Sequence, residues 1–525
     1  MPISKNAQEK TELFKALWQI ACETRGSGVT GWDFKSYILN TLFYRYISEM
    51  LTQYINENEH SAGDLDFNYA NCSDEEIDED PEFREEIIRD KGFFLYPSEL
   101  FCNVAAAAAT NENLNIKLSE VFQNIENSSK GTASERCFSG LFNDFDLNSE
   151  SRLGNTLKKR NEKLASLLNK IAAIDFGGDY MSQDSDVFGD AYEYLMGMYA
   201  SDAGRKGGEF FTPQEVSELL TRICVLNKKR INNVYDLTCG SGSLLLKPAK
   251  ILGKDNVDVG YFGQEVNSTT YNLCRMNMVL HGIPYDKFDI ACDDTLMNPM
   301  HLNEAPFEVI VSNPPYSVPW KGNDDVTLIN DPRFAPAGVL APKSKADFAF
   351  IMHADALLAS NGVAAIVCFP GIMYRSGAEQ KIRKYLIDNN RVDAIIQLPE
   401  NLFFGTNIST CIMVMKKNKT DNKILFIDAS KEFVKETNQN RLSKENIKNI
   451  MKLYSDRVDV DYQAKLVEYD EIVKAKYNLS VSTYVEREDT REKIDIDELN
   501  KRLDEVVAKE DQLRTDISQI IKEIS

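Results

Sequence analysis

The N-terminal part of the chain carries the hydrophobic pattern of packed helices. In "LFKALWQIACETRGSG" and "WDFKSYILNTLFYRYISEMLTQYI", between Lys10 and Asn56, apolar residues recur at spacings of three and four. The pattern returns, after an acidic stretch, in "LKKRNEKLASLLNKI". Because a period near 3.6 residues places these side chains on one helical face, we predict a helical domain over residues 1–170.

After "DFGGDYMSQDSD" the pattern changes to short apolar runs separated by amphipathic stretches. Seven runs stand out, among them "NNVYDLTC", "VGYFGQE", "FEVIVSN" and "VDAIIQLP". Apolar strands that alternate with helices are typical of a doubly wound α/β sheet. The pattern therefore predicts a Rossmann-like domain over residues 171–475.

The C-terminal tail, residues 476–525, has a heptad pattern. From Ile496 to Ile524 an Ile, Leu or Val recurs at alternating steps of three and four, and Glu510 is the one exception. A seam over about four heptads predicts a coiled-coil-like helix. We favour packing against a helix of a partner protein, and packing on its own domain is the alternative.

Polar residues follow several of these strands at the carboxyl end, where open α/β sheets bind ligands. In "VIVSNPPYSVPW" two prolines cannot continue a hydrogen-bonded ladder, so the chain must leave the sheet after Val311. The resulting turn, stiffened by Pro314 and Pro315, carries the amide of Asn313 and the phenol of Tyr316. An ordinary strand-terminating loop is the alternative interpretation.

A glycine loop follows the first strand in "VYDLTCGSGSLLLKPAK". It departs from the dinucleotide fingerprint G-x-G-x-x-G because Leu245 stands where the third glycine would be. Asp236 at the strand end is placed to meet a cationic amino group of a ligand. The loop residues that we assign to this ligand are Thr238, Gly240, Ser241, Gly242 and Ser243.

The next strand ends in Glu265, which lies 23 residues after Gly242. An acid about 20 residues after such a loop typically binds ribose hydroxyls, although a solvent-exposed glutamate is the alternative. In "IACDDTLMNP" a third strand ends in Asp293 and Asp294. We assign Asp294 as an acceptor for the amine of an adenine, with Asp293 or a simple turn aspartate left open.

Upstream, "GGEFFTPQEV" predicts the start of a helix. Thr212 is the expected N-cap, Pro213 the first helical residue, and Glu215 completes a capping box. The free N–H groups there would attract a carboxylate. Phe210 and Phe211 fit the wall of a cofactor pocket, although core packing would explain either one.

Together these features predict a site that binds a carboxylate, a cationic amino group, a ribose and an adenine. S-adenosylmethionine carries all four groups. With S-adenosylmethionine as the methyl donor, the Asn-Pro-Pro-Tyr turn can activate the amine that accepts the methyl group. Such activation is needed because an amine conjugated to a ring is a poor nucleophile. If the Asn313 side-chain oxygen and the Pro314 carbonyl accept its protons, the nitrogen lone pair is aimed at the methyl group. Tyr316 can stack on a base rotated out of a duplex.

Composition limits the classes of protein that fit. The apolar content of 43% and charged content of 27% are ordinary for a soluble globular protein. No apolar stretch approaches the ~20 residues that span a bilayer. A cytoplasmic protein is therefore expected. The 10 cysteines are scattered singly among only 4 histidines, so no metal site is expected. A net charge of −21 opposes unaided binding to nucleic acid.

The motifs "GEFFTP", "DLTCGSGS", "GQEVNSTTYNLCRMNMVLHG" and "SNPPY", in this order, resemble the modification subunit of type I restriction-modification systems. Those subunits are N6-adenine DNA methyltransferases of the gamma motif order. "GVTGWDFKSYILNTLFYRYIS" and "KYNLSVSTYV" extend the resemblance over nearly the whole chain. The resemblance implies that Asn313–Tyr316 form the catalytic motif. It puts cofactor binding at Glu209, Phe210, Phe211, Thr212, Pro213, Gln214, Ser241–Ser243 and Glu265.

The resemblance also implies partners. The substrate is double-stranded DNA, two modification subunits work with one specificity subunit that reads the sequence, and a separate restriction subunit adds cleavage. The host would be a bacterium or an archaeon. Two alternatives stay open, a protein-glutamine methyltransferase, which also uses an Asn-Pro-Pro-Tyr turn, and a non-catalytic scaffold of the same fold. The missing third glycine disfavours a nicotinamide oxidoreductase.

Overall fold

The computed structural model of the 525-residue chain describes residues 5–24, 31–176, 186–203, 211–403, 407–436, 439–486 and 496–524. Internal contacts divide the chain into two compact units, Met1–Val485 and Glu486–Ser525. No helix within the described ranges is long and apolar enough to cross a membrane.

The N-terminal part of the first unit is helical, as predicted. Its helices are α1 (Lys5–Thr24), α2 (Gly31–Ala62), α3 (Asp74–Asp78), α4 (Pro81–Lys91), α5 (Phe101–Ala107), α6 (Leu114–Ser129), α7 (Glu135–Phe138), α8 (Glu150–Leu153), α9 (Leu157–Ala172) and α10 (Val187–Ala203). The long helix α2 packs against α9 and α10. Arg45 on α2 donates to the carbonyls of Ile171 and Ile174, at 2.6 and 2.9 Å, and so stabilises the C-terminal end of α9.

The α/β part is built on a nine-stranded sheet. Its strands are β1 (Ile231–Asp236), β2 (Val257–Glu265), β3 (Phe288–Cys292), β4 (Phe307–Ser312), β5 (Leu358–Cys368), β6 (Val392–Gln397), β7 (Cys411–Lys416), β8 (Ile424–Asp428) and β11 (Ala464–Val467), while β9 (Val434–Lys435) and β10 (Asn440–Arg441) form a separate hairpin. The spatial order is β3-β2-β1-β4-β5-β7-β6-β8-β11. Every predicted strand is present, whereas the three short strands β9, β10 and β11 were not predicted.

Strand direction identifies the sheet as doubly wound. β1 pairs in parallel with both β2 and β4, and β4 pairs in parallel with β5, whereas β7 runs antiparallel to its neighbours β5 and β6. The order of strands therefore reverses between β1 and β4. Ligands of such sheets bind at this switch point, outside the carboxyl ends of the strands. The predicted fold class is confirmed.

Helices cover the sheet and complete this part of the chain. They are α11 (Gln214–Cys224), α12 (Ser243–Leu252), α13 (Ser268–Leu280), α14 (Asp347–Leu357), α15 (Ala378–Asp388), α16 (Lys444–Asp456) and α17 (Tyr469–Lys474). α12 follows the glycine loop and packs on β1 and β2. A Cβ on Gly263 of β2 would lie 2.9 Å from Leu245 Cδ1, so the small residue that close helix–strand packing needs lies on the strand. This explains how Leu245 replaces the third glycine.

The second unit contains helix α18, Ile496–Ile524. The tail is therefore helical, as predicted. Its seam residues are exposed, with Leu503 at 62% and Leu513 at 57% of their full accessibility. The boundary of the tail at residue 476 and the end of the helical domain at residue 170 stay predictions.

Candidate active site

A cleft opens at the switch point between β1 and β4. Eight of the predicted site residues line it, together with Cys239 and Leu244, which were not predicted. The lining residues are Phe211, Thr212, Asp236, Thr238, Cys239, Gly240, Ser241, Ser243, Leu244 and Asn313. The cleft thus brings the glycine loop, the segment before α11 and the Asn-Pro-Pro-Tyr turn together.

The glycine loop turns tightly between β1 and α12. Gly242 has φ +83°, and its N–H donates to the Cys239 carbonyl at 2.8 Å. A Cβ at this position would lie 2.9 Å from Cys274 Sγ on α13. Both the left-handed backbone and the close approach of α13 therefore require glycine here.

Asp236 is fully buried at the end of β1 and lines the cleft. Its Oδ1 accepts from Ser312 Oγ at 2.6 Å and from the Thr238 N–H at 3.0 Å. Its Oδ2 is buried and has no hydrogen-bond partner among the described residues. Burial raises the pKa of this carboxyl to about 7, and the nearby charge of Glu265 also raises it. An unpartnered carboxylate oxygen at a cleft fits a cationic ligand group.

Ser312 links the two strand ends of the cleft. Its hydroxyl donates to Asp236 on β1, and the same oxygen lies 2.9 Å from Thr238 Oγ1 of the glycine loop. Since the Ser312 hydrogen is used on Asp236, Thr238 is the donor to Ser312. Ser312 immediately precedes Asn313, so the glycine loop and the Asn-Pro-Pro-Tyr turn are connected through Ser312. The sequence analysis did not identify Ser312.

Glu265 ends β2 beside the glycine loop and is 8% exposed. Its Oε2 accepts from the Gly240 N–H at 3.1 Å, and its Oε1 accepts from the Asn267 N–H at 2.8 Å. Burial raises the pKa of Glu265, and its backbone hydrogen bonds oppose that shift. The carboxylate therefore lies against the loop, which differs from the solvent-exposed alternative.

The side chain of Asn313 is held at both ends. Its Nδ2 donates to Thr212 Oγ1 at 3.2 Å, and its Oδ1 accepts from the Tyr316 hydroxyl at 2.7 Å. These two contacts set the orientation of the amide. Pro314 is buried and Pro315 is exposed, and burial raises the pKa of the Tyr316 phenol well above its ordinary value. Tyr316 is therefore a neutral donor.

Two family models match most of the chain. The HsdM N-terminal domain model matches residues 13–171, and the N-6 DNA Methylase model matches residues 183–493. The type I restriction enzyme MpnII methylase subunit of Mycoplasma pneumoniae is 48% identical over 537 residues, covering 99% of this chain and 97% of that protein. This chain belongs to the type I restriction enzyme methylase subunits, which carry an N-6 DNA methylase domain.

Other relatives of this methylase subunit agree. The crystal structure of a type I restriction-modification system methyltransferase subunit from Streptococcus thermophilus matches with a TM-score of 0.81 at 37% identity, covering 91% of this chain and 100% of that chain. The MjaVII methylase subunit of Methanocaldococcus jannaschii is 32% identical over 371 residues, covering 68% of this chain and 63% of that protein. The resemblance is confirmed, and the chain is a DNA methyltransferase subunit.

The start of helix α11 differs from the prediction. The helix begins at Gln214, its N-cap is Pro213, and within the described part of the chain no side chain caps it. Predicting Thr212 as N-cap was wrong because the Thr212 hydroxyl accepts from Asn313 instead. The predicted capping box between Thr212 and Glu215 is therefore wrong as well. Gln214 Nε2 donates to Ser243 Oγ at 3.0 Å and so joins this helix start to the glycine loop.

Of the other predicted site residues, Asp294 does not line the cleft. Asp294 is exposed, and its Oδ1 accepts from the N–H groups of Leu296 and Met297 at 2.9 and 3.2 Å. That is the geometry of the turn-aspartate alternative, and contact of Asp294 with an adenine stays a prediction. Glu209 and Phe210 lie outside the described residues. Phe211 is 8% exposed at the cleft wall.

Proposed function

We propose that this methylase subunit uses S-adenosylmethionine to methylate the N6 atom of an adenine rotated out of double-stranded DNA. The observation that carries the proposal is the position of the unpartnered Asp236 oxygen in the same cleft as the Asn313 amide. The Asp236 carboxylate suits the ammonium group of the cofactor, and the Asn313 amide suits an adenine amine that must be oriented for methyl transfer. A nicotinamide enzyme needs neither arrangement.

The cleft residues fit the proposed cofactor. Asp236 would hold the amino group of its methionine part, because its Oδ2 lacks any other partner among the described residues. Glu265 would hold the ribose, since its carboxylate lies beside the glycine loop and a carboxylate can accept further hydrogen bonds besides those from Gly240 and Asn267. The backbone of the loop Gly240–Ser243 would lie close to the cofactor, and Phe211 would form an apolar wall of its pocket. When bound, S-adenosylmethionine supplies an electrophilic methyl group on a sulfonium centre.

Asn313 and Pro314 would prepare the target amine. A carbonyl oxygen accepts two hydrogen bonds, so Asn313 Oδ1 keeps one lone pair for the amine beside the bond from Tyr316. A second acceptor, the Pro314 carbonyl, draws the amine nitrogen towards tetrahedral geometry. Acceptors held in advance cost no reorganisation during the reaction. No general base is required to activate the amine.

Thr212 acts in this proposal as a positioning residue for Asn313. Thr212→Val keeps the shape but removes the acceptor of Asn313 Nδ2, and we expect kcat to fall about tenfold, the effect of one hydrogen bond of about 1.4 kcal/mol. Thr212→Ser keeps the hydroxyl and should keep most of the activity. Steady-state kinetics separate the two roles of this residue. An unchanged kcat with a raised KM for S-adenosylmethionine would assign the hydroxyl to the cofactor and contradict positioning.

A specificity subunit would supply DNA recognition, with two methylase subunits to one specificity subunit and a restriction subunit in the full complex. The net charge of −21 gives this chain little attraction for a polyanion. The exposed apolar seam of α18 suits a helical partner, because such a continuous apolar stripe is stabilised when it is covered. We propose that this seam binds the specificity subunit.

Transfer of labelled methyl groups to DNA tests the proposal. The chain alone, the chain with its co-encoded specificity subunit, and that complex carrying Leu513→Glu and Ile517→Glu are compared. We expect N6-methyladenine with the unmodified complex, and none with the free chain or with the double variant. The double variant should bind S-adenosylmethionine normally but fail to co-purify with the partner, because two charges interrupt the seam. Gln519→Glu, a charge on the same helix outside the seam, is the matched control.

Three outcomes would contradict this scheme in whole or in part. Label on protein glutamine but not on DNA would favour the protein methyltransferase alternative. Cofactor binding without transfer to DNA in any preparation would favour the scaffold. If the double variant still co-purified with the specificity subunit and methylated DNA as the Gln519→Glu control does, the seam would not be the binding surface.

A further inference from the structure

Three side chains that methyl transfer does not use meet at the β3 edge of the sheet. Asp289 lies on β3, and His301 and Glu304 lie on the segment that leads to β4. Their potential ligand atoms lie within 4.8 Å of one another. His301 is 2% exposed, and its ring packs edge-on against the rings of Tyr235 and Phe262. The histidine is therefore fixed in the interior of the fold.

The hydrogen bonding of His301 leaves one ring nitrogen facing the two carboxylates. Its Nε2 lies 2.9 Å from the Gly263 carbonyl, which can only accept, so Nε2 carries a proton. Its Nδ1 is buried and lies 3.8 Å from Glu304 Oε2, and neither atom has a hydrogen-bond partner among the described residues. A proton on Nδ1 would not make a hydrogen bond over that distance. Two shielded acceptors that face each other are stabilised by a cation between them.

The spacing suits a metal ion. Two ligands about 2.1 Å from a tetrahedral ion lie about 3.4 Å apart, so a closure of a few tenths of an ångström would bring His301 and Glu304 to ligand distance. Metal-bound histidines commonly donate the other ring N–H to a backbone carbonyl, as His301 does to Gly263. Asp289 Oδ2 pairs with the exposed Arg136 at 2.8 Å, and one carboxylate oxygen of Asp289 lies within 4.8 Å of the other two ligand atoms, which gives three potential protein ligands.

A second cluster of similar composition shows why this one differs. Asp186, Asp190 and His281 also bring their potential ligand atoms within 4.8 Å. There, however, the Lys250 ammonium lies 2.9 Å from Asp190 and from Glu193, and 3.4 Å from Asp186. One protein cation already pairs with all three of those carboxylates, whereas in the first cluster Arg136 pairs with Asp289 and leaves Glu304 Oε2 and His301 Nδ1 without a hydrogen-bond partner among the described residues. The second cluster is therefore a control and not a candidate site.

We propose that Asp289, His301 and Glu304 bind one divalent transition-metal ion of the Zn²⁺ class, with water completing its coordination. An imidazole with two carboxylates suits such an ion. The ion would connect β3 to the segment before β4 and so stabilise the fold, independently of methyl transfer. The sequence predicted no metal site because it lacks C-x-x-C and closely spaced histidine pairs, whereas this site uses one histidine, a glutamate three residues later and an aspartate from the preceding strand.

Metal loading of the full chain tests the proposal. Chelator-treated protein is loaded with Co²⁺ and then with Zn²⁺, and retained metal, visible absorption and thermal unfolding are measured. We expect one ion per chain, d–d absorption without a thiolate-to-metal band, and a raised unfolding temperature. Glu304→Gln, a half-exposed side chain whose replacement leaves the core intact, should weaken Zn²⁺ binding at least tenfold. Asp190→Asn, in the cluster that Lys250 neutralises, should leave it unchanged.

Three results would overturn the metal site. Wild-type protein that retains no ion after gel filtration lacks the site. A thiolate-to-metal band assigns the ion to one of the cysteines. Equal Zn²⁺ affinity of Glu304→Gln and Asp190→Asn shows that the ion is bound elsewhere.

Discussion

Asn313→Ala is expected to lower kcat for methyl transfer about 10²–10³-fold, the usual effect of removing one preorganised group that acts on the reacting centre. The side chain of Asn313 is held by Thr212 and Tyr316, so its oxygen is fixed before any base arrives. Alanine removes that acceptor without changing the glycine loop. Single-turnover transfer to DNA, with the specificity subunit present, measures the effect on chemistry.

Cofactor binding serves as the control for Asn313. The variant should bind S-adenosylmethionine within about twofold of wild type, since the proposed cofactor contacts lie on Asp236, the loop and Glu265. Asn298→Ala, an exposed amide that donates to Asp293 away from the cleft, should keep full activity. Transfer by Asn313→Ala at the rate of Asn298→Ala would remove the turn from the mechanism.

Asp236→Asn is expected to weaken S-adenosylmethionine binding about 100-fold, because truncating one partner of a buried charge pair costs 2–5 kcal/mol or more. Asparagine keeps the shape and one acceptor for Ser312 and Thr238, so the strand ends should stay joined. Isothermal titration with the free chain measures the loss. Equal affinity for wild type and Asp236→Asn would assign the amino group of the cofactor to another residue.

The same carboxyl predicts a pH dependence. Burial raises the pKa of Asp236 to about 7, so the carboxyl of the free chain is protonated at lower pH while the ammonium of the cofactor binds the charged form. Affinity should therefore rise, by up to about tenfold per unit, from about pH 5.5 to 7 and then level off. Because the folded pKa lies above the unfolded value, stability from this group is complete at low pH and is lost as pH rises through about 7. The Asn variant should lack the slope in affinity, and an identical slope would contradict the assignment.

The strands and most of the cleft could be predicted because each depends on local pattern. Apolar runs end where polar residues begin, and parallel strands bring those ends to one edge of the sheet. Asp236, the glycine loop and Asn313 therefore meet in one cleft, as their positions after β1 and β4 indicated. The long periodic helices α2 and α18 were predicted for the same reason.

What the sequence could not reveal depends on contacts between distant segments. In the sequence, Ser312 is an ordinary serine at the end of a strand. Its contact with Asp236 becomes apparent only once β1 and β4 are paired. Thr212 matches a capping pattern, but a tertiary bond to Asn313, 101 residues later, takes its hydroxyl instead. Edge strand β11 is only four residues long, too short to show a periodic pattern. Cys239, in the loop, and Leu244, in the first turn of α12, line the cleft although their apolar side chains gave no signal of a ligand site.

If Asp236 and Asn313 have the roles proposed above, the link through Ser312 couples the binding of the two substrates. A cofactor ammonium beside Asp236 would change the charge that the Ser312 hydroxyl contacts, one residue before the catalytic amide. Such coupling is reciprocal. A base bound against Asn313 would therefore raise the affinity for the cofactor by the same factor by which the cofactor raises the affinity for the base. The enzyme would then hold its methyl donor most firmly while DNA is engaged and release the spent donor more readily after the base departs.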